Sequence, residues 1–452
     1  MQSSEEYHKG MFSALEEADR EICQLITKEY ERRQNTLQLG AAENQCSMAV
    51  LAALGSVVQN KTAEGFPEAR LHGGCKVIDE IERLAVARAK QAFGAKYANV
   101  QPHSGTTANQ IVLTALLETG DKIFSLALDQ GGHFSHGSHV SFTGKFFNVE
   151  NYYVDRETFL LDYDAIREQA ITFKPKLIIC GASAYSRKID FTKFREIADQ
   201  VGAYLLADIS HISGLIIAGA HPSPINYAHF TTTSTYKPGG PRGGLIVMGK
   251  DYEGRGTRDE GQGTKLWEHI QQATFPGVQG TPCLNHIAAK AVFFQETLSE
   301  EYRARQFKII ENAKKLADSL QDCGFDIITG GTDNHMVLVN VAAVRRPAEN
   351  FREGLTGVTA QKCLEQCGII VDMINLPYGK KGPAVASGIR LGTPIVTKNG
   401  MGTKEMESIS VLIDAVLKRV EIISDNEYKI DESFSSETRD KVKQLCNRFP
   451  LW

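Results

Sequence analysis

The 452-residue sequence predicts an α/β fold, with a mostly parallel central sheet covered by helices and a smaller C-terminal α+β domain. Three observations carry that expectation. Short runs that are apolar throughout alternate with helical stretches between about residues 37 and 297, as strands buried on both faces require. Gly, Pro or Asp bounds these runs and marks turns at the strand ends. Beyond a long helical zone near Ala288 to Gln321, shorter strands and helices continue to Trp452.

Taken in chain order, residues 1–36 are charged, with Phe12, Leu15, Ile22, Leu25 and Ile26 recurring at roughly helical spacing. They predict an N-terminal arm that packs on something else. Residues 37–297 form the expected large domain. Its strand candidates are Lys122-Ile-Phe-Ser-Leu-Ala-Leu, Lys176-Leu-Ile-Ile-Cys, Tyr204-Leu-Leu-Ala-Asp, Phe230-Thr-Thr-Thr-Ser and Gly244-Leu-Ile-Val-Met. Residues 298–452 form the expected small domain, opened by Phe325-Asp-Ile-Ile and His335-Met-Val-Leu-Val-Asn.

Composition narrows the function classes. Hydrophobic residues make up 42% and charged residues 23%, and the formal net charge is -4. That balance gives a globular chain without the basic field that nucleic acid would need. No segment approaches the ~20 apolar residues that span a bilayer. The first residues have neither the basic start nor the apolar run of a signal peptide. A cytoplasmic chain with no membrane partner is expected. Nine cysteines without zinc-ribbon spacing fit reduced thiols better than a disulfide framework.

Chemistry concentrates in a few segments. Thr231-Thr-Thr-Ser-Thr-Tyr-Lys237-Pro-Gly-Gly places a lysine at the end of a hydroxyl-rich strand, before a turn-rich loop. Such an amine can form a Schiff base with an aldehyde cofactor that then acts as an electron sink. Asp208 ends the apolar run Tyr204-Leu-Leu-Ala-Asp208 about thirty residues upstream. A carboxylate there can keep a pyridine nitrogen protonated. Gln101-Pro-His-Ser104-Gly105-Thr106 opens a helical stretch, where hydroxyls and free backbone N–H groups form a cup for phosphate. Taken alone, each has a structural explanation: a solvated lysine, a helix cap, a second cap. Together they compose a pyridoxal 5'-phosphate (PLP) site.

Gly131-Gly-His133-Phe-Ser-His136-Gly-Ser-His139 sets three histidines three residues apart. Gly137 breaks the helix that metal ligation would need, and no Cys or carboxylate completes a shell, so no metal is expected. His133 is better suited to lie flat against a cofactor ring. In the small domain, Ser387-Gly-Ile-Arg390-Leu-Gly-Thr-Pro offers a guanidinium for bidentate grip on a substrate carboxylate. Its structural alternative is a surface salt bridge.

Across nearly the whole chain these segments resemble serine hydroxymethyltransferases, which are fold-type I PLP enzymes. The longest matches are Leu54-Gly-Ser-Val-Val-Gln-Asn-Lys61, Gly73-Gly-Cys-Lys-Val-Ile-Asp-Glu-Ile-Glu-Arg-Leu84, Lys174-Pro-Lys-Leu-Ile-Ile-Cys-Gly-Ala-Ser-Ala-Tyr-Ser-Arg187 and Ser387-Gly-Ile-Arg-Leu-Gly-Thr-Pro394. The resemblance implies that Lys237 carries PLP, that Asp208 partners its ring nitrogen and that His133 stacks on the ring. It implies that Ser104, Gly105 and Thr106 hold the phosphate, that Ser183 and His211 lie near the cofactor's 3'-oxygen and that Thr281 touches the cofactor. It also implies that Arg390 binds the amino acid carboxylate, and that Glu64 acts at the substrate hydroxyl of the neighbouring subunit in a homodimer. Tetrahydrofolate is the implied co-substrate.

The departures from the family pattern fall on the substrate side. Ala42 stands where the family has a serine, Thr62 where it has a tyrosine, and Leu71 and His72 where it has paired tyrosines. The histidine before the lysine is Tyr236, and the loop from Lys237 to Arg242 is one residue shorter. Retained cofactor residues beside a rebuilt substrate pocket predict cleavage or formation of the Cα–Cβ bond of a β-hydroxy amino acid, with altered substrate preference. The alternatives are a folate-independent aldolase, transaldolase or racemase, and, more remotely, a catalytically silent dimeric scaffold.

Overall fold

The computed structural model describes residues 4–252, 265–342, 354–382 and 384–451. Seven strands make the central sheet: β1 (Tyr97–Asn99), β2 (Lys122–Leu126), β3 (Asn148–Tyr152), β4 (Leu177–Cys180), β5 (Tyr204–Asp208), β6 (Phe230–Ser234) and β7 (Gly244–Met248). Their spatial order is β1-β7-β6-β5-β4-β2-β3. The pairs from β3 through β6 are parallel, and β7 alone runs against its neighbours.

Why the runs are apolar throughout is visible in their packing. Phe124, Ile178, Leu205 and Val247 enter one apolar layer. Their immediate neighbours Ile123, Leu177, Leu206 and Ile246 enter the other. Successive side chains of a strand point to opposite faces, so a sheet with helices on both sides has no polar face to alternate with.

A second sheet of four antiparallel strands, β8 (Asp326–Ile327), β9 (Met336–Asn340), β10 (Asp372–Ile374) and β11 (Gly388–Gly392), is ordered β8-β9-β11-β10. Its core gathers Val337, Val339, Ile389, Leu391, Ile409 and Ile413. Leu37 and Leu39, at the expected start of the large domain, pack into this small-domain core, where Leu37 and Gln38 pair with Ile369 and Ile370.

The N-terminal arm is two helices, α1 (Ser4–Ala18) and α2 (Arg20–Gln34), divided where the Asp19 side chain caps Ile22 N. Phe12, Ile22, Leu25 and Ile26 stay exposed. Four further helices matter for the site: α3 (Lys76–Phe93), α4 (Gly105–Leu116), α5 (Leu284–Thr297) and α6 (Glu300–Asp322). The helical zone expected as one stretch is α5 and α6, separated where Ser299 caps α6 through Tyr302 N. Helix α6 joins the two cores: Tyr302 and Ile309 pack with the large domain and Leu316 with the small one.

Lys237 does not end its strand as the sequence suggested. Strand β6 stops at Ser234, because Gly239 N turns back to Tyr236 O and Gly240 N to Thr235 O, each at 3.0 Å, so the lysine rides on a turn.

Candidate active site

The carboxyl ends of the parallel strands meet at one edge of the sheet, where α/β folds collect their ligands. The segment after β2 brings Gly132 and His133, the segment after β4 brings Ser183, and the turn after β6 brings Lys237. These residues line a cavity of about 1020 Å³ together with Ala42, His211 and Arg390, the last delivered by β11.

Lys237 and Asp208 are joined by a continuous run of hydrogen bonds. Lys237 Nζ donates to Ser234 Oγ at 3.2 Å, and Ser234 N donates to Ser210 Oγ at 2.9 Å. Ser210 Oγ in turn donates to Asp208 Oδ1 at 2.6 Å. Gly105, the first residue of α4, sits on this run. A Cβ there would lie 3.2 Å from Ser234 N and 3.3 Å from Ser210 Oγ, a tight fit that would push these neighbours back by a few tenths of an ångström. Ser104 caps that helix, its Oγ accepting from Thr107 N at 3.0 Å.

The other Asp208 oxygen has its own donors. Asn109 Nδ2 lies 2.8 Å from Oδ2, and His136 Nε2 lies 3.0 Å from it. Asn109 also holds Ser135 Oγ at 2.9 Å, and Ser135 Oγ is 2.8 Å from His133 Nδ1. Burial alone would raise the Asp208 pKa, but the hydrogen bond from His136, its proximity and that of His133, and Ser210 together hold it far below the usual carboxylate range. Burial draws His133 down to about 4. His211 is pushed well below the ordinary histidine value by burial and by the cations Lys237 and Arg390. Its ring stacks on that of His335, whose pKa burial lowers to about 4.

Arg390 is buried. Its Nη1 donates to Ser183 O at 2.6 Å and its Nη2 to Asp372 Oδ2 at 2.8 Å. Its Nε, like His211 Nδ1, has no hydrogen-bond partner among the described residues. Lys237, His133, His211 and Arg390 line the cavity, while Asp208 and the α4 N-terminus at Ser104, Gly105 and Thr106 are outside its lining and connect to Lys237 through Ser234 and Ser210. An amine on a turn, a buried anion behind it, a helix N-terminus and unpartnered nitrogens fit a phosphorylated pyridine aldehyde and an amino acid carboxylate.

The residues implied on the substrate side divide. Ala42 lines the cavity, while Glu64, Thr62, His72 and Thr281 do not. Glu64 instead accepts from Thr281 Oγ1 at 3.4 Å, and its backbone N donates to His72 Nδ1 at 3.3 Å. Thr62 and Leu71 are exposed. The hairpin that follows Glu64 (Gly65–Phe66 with Ala69–Arg70) is anchored by Arg70, which pairs with Asp79 at 2.9 Å and Glu82 at 2.5 Å on α3.

Several partners escaped sequence reasoning. Asn109 lies three residues beyond the phosphate segment, His136 belongs to the histidine triplet that suggests only metal ligation, and nothing in the sequence marks His335, Ser210 or Asp372 as site residues. Among the described residues no group of three or more His, Cys, Asp or Glu could hold a metal. Lys290 on α5, 1% exposed, donates to the carbonyls of Val100 at 2.5 Å, Pro102 at 3.2 Å and Gly244 at 2.8 Å. Burial lowers its pKa to about 7. One side chain therefore ties the approach to Ser104 to the strand that follows the Lys237 loop.

Comparison with known proteins agrees with this geometry. The family model described as "Serine hydroxymethyltransferase" matches residues 15–413. A curated "Serine hydroxymethyltransferase" of Methanosarcina barkeri (strain Fusaro / DSM 804) is 45% identical over 441 residues, covering 97% of this chain and 100% of the relative. The chain belongs to the serine hydroxymethyltransferase family and, with it, to the PLP-dependent transferases.

Proposed function

We propose that the protein moves the hydroxymethyl carbon of a β-hydroxy amino acid, with serine as the reference substrate, to an acceptor of the tetrahydrofolate type, and runs the same reaction in reverse. The observation that carries this reading is the shared cavity of Lys237, His133 and Arg390, joined by hydrogen bonds to the buried Asp208.

When bound, PLP supplies an aldehyde for the amino group and an electron sink for the pair released as the Cα–Cβ bond breaks. The chain's own residues do the rest. Lys237 provides the amine that holds the cofactor and yields it to substrate. Asp208, which accepts from Asn109, His136 and both the backbone N and the hydroxyl of Ser210, would hold the proton on the ring nitrogen. The ring of His133, with Ser183 and His211 in the same cavity, would hold the cofactor, and Thr281, which lies with Glu64 outside that cavity, would reach the cofactor of the partner subunit. The hydroxyls of Ser104 and Thr106 and the backbone N–H of Gly105 receive the phosphate at the N-terminus of α4. Arg390 would hold the amino acid carboxylate and so orient the substrate's Cα. Glu64 manages the proton of the β-hydroxyl.

Glu64 lies outside the cavity of its own chain, which supports a homodimer in which it serves the partner's site. Exposed Met48, Leu51, Val77 and Leu84 beside that segment suit a subunit contact. The division into an arm at 1–36, a large domain at 37–297 and a small domain at 298–452 is proposed with it, supported by the separate apolar cores. A cytoplasmic location is likewise proposed. Among the described residues no helix is long and apolar enough to cross a membrane.

Ala42 lines the cavity without the hydroxyl of a serine, and Thr62, Leu71 and His72 replace three tyrosine rings. A preference for bulkier amino acids follows. The test is serine-dependent glycine formation with and without tetrahydrofolate, run beside threonine, allo-threonine, β-phenylserine and α-methylserine. Folate-dependent glycine formation supports the transferase reading. Aldehyde release indifferent to folate makes it an aldolase. If serine with tetrahydrofolate leads by a wide margin, the four replacements are neutral.

A further inference from the structure

Asp372 and Arg390 face each other directly across the antiparallel ladder of β10 and β11. Their side chains meet as an ion pair, Nη2 to Oδ2 at 2.8 Å, with Arg390 10% and Asp372 36% exposed. The Ser183 carbonyl takes Nη1, and among the described residues Nε has no partner. A carboxylate grips a guanidinium best through two parallel N–H bonds. Here two of the five guanidinium N–H groups are engaged, and an incoming carboxylate meets a cation whose charge is already balanced by a fixed anion.

From this we propose that Asp372 is a specificity-determining residue, which competes with the carboxylate of the incoming amino acid for Arg390. The inference rests on the reading of Arg390 as the carboxylate site. A fixed carboxylate beside the guanidinium weakens the attraction for a second one, and like charges brought together at a binding site are costly. The effect selects by charge. It disfavours substrates that depend on their carboxylate alone and leaves neutral analogues untouched, so that ligands with further contacts in the cavity gain by comparison.

The experiment measures binding of glycine and glycinamide to the holoenzyme by calorimetry, in the parent protein and in the Asp372→Asn, Asp372→Ser and Arg390→Ala variants. Asn keeps an acceptor for Nη2 and removes the charge, and Ser covers the case in which Asn does not fold. Expected is about tenfold tighter glycine binding in the Asp372 variants with glycinamide unchanged, since like charges placed together typically cost more than the 1.4 kcal/mol that a factor of ten represents. If both ligands shift together, or neither shifts, while Arg390→Ala abolishes glycine binding, the competition is overturned and the carboxylate site stands. If Arg390→Ala leaves glycine binding intact, both fall.

Discussion

His136 Nε2 lies 3.0 Å from Asp208 Oδ2, with both side chains buried. Together with Asn109 on the same oxygen it fixes the orientation of the carboxylate. Removing either donor leaves a buried anion under-satisfied, which costs about 1–3 kcal/mol. Asn109→Ala and His136→Ala should therefore weaken PLP binding by roughly tenfold to a hundredfold. Equilibrium titration of the apoproteins with PLP checks this. Unchanged affinity would mean that Ser210 alone orients Asp208.

The protein should purify with a visible imine absorption, and borohydride should fix the cofactor to Lys237 and to no other lysine. Lys237→Ala should lose at least three orders of magnitude in turnover, as expected where the covalent route is removed. Peptide mapping after reduction identifies the labelled residue. Label on a different lysine ends the assignment.

Glu64 and Lys237 should complement each other across subunits. Chains carrying Lys237→Ala and chains carrying Glu64→Gln are expected to be nearly inactive as separate homodimers. Mixed and reassembled, they should recover up to about a quarter of parental activity, since a quarter of all sites, one in each heterodimer, would be intact under random pairing. Heterodimers that form without recovering activity would place both residues in one subunit's site.

Acid should destabilise the apoprotein through its buried histidines. The fold holds His133 and His335 at about 4 and His211 well below its ordinary value, all through burial. An unfolded chain titrates near 6.5 and so takes up these protons first. Stability is then full above about pH 6.5 and is lost as pH falls toward about 4. His335→Gln should reduce the stability lost across that window by about 3 kcal/mol, the order that a shift from about 6.5 to about 4 represents. Urea midpoints across this window measure it, and parallel slopes for parent and variant would refute it.

What the sequence made legible were features carried by contiguous residues. Strands β2, β4, β5, β6 and β7 announced themselves because burial on both faces leaves no room for polar alternation. Lys237, Asp208 and Ser104 stood out because each follows such a run. The partners of Asp208 did not, since Asn109 is 99 residues and His136 72 residues away in the chain. Only the order of strands in the sheet brings them together. The Asp372–Arg390 pair depends on the register of β10 against β11, and a one-residue slip would have turned the two side chains to opposite faces. Leu37 and Gln38 read as the start of the large domain, but chain proximity gave no hint of their pairing with Ile369 and Ile370.

The three carbonyls gathered on Lys290 bear on when the cofactor cradle is ordered. They come from both sides of the cradle, and the buried amine on α5 gathers them. The entropy of ordering that stretch of backbone is thus incurred at folding rather than at each binding event.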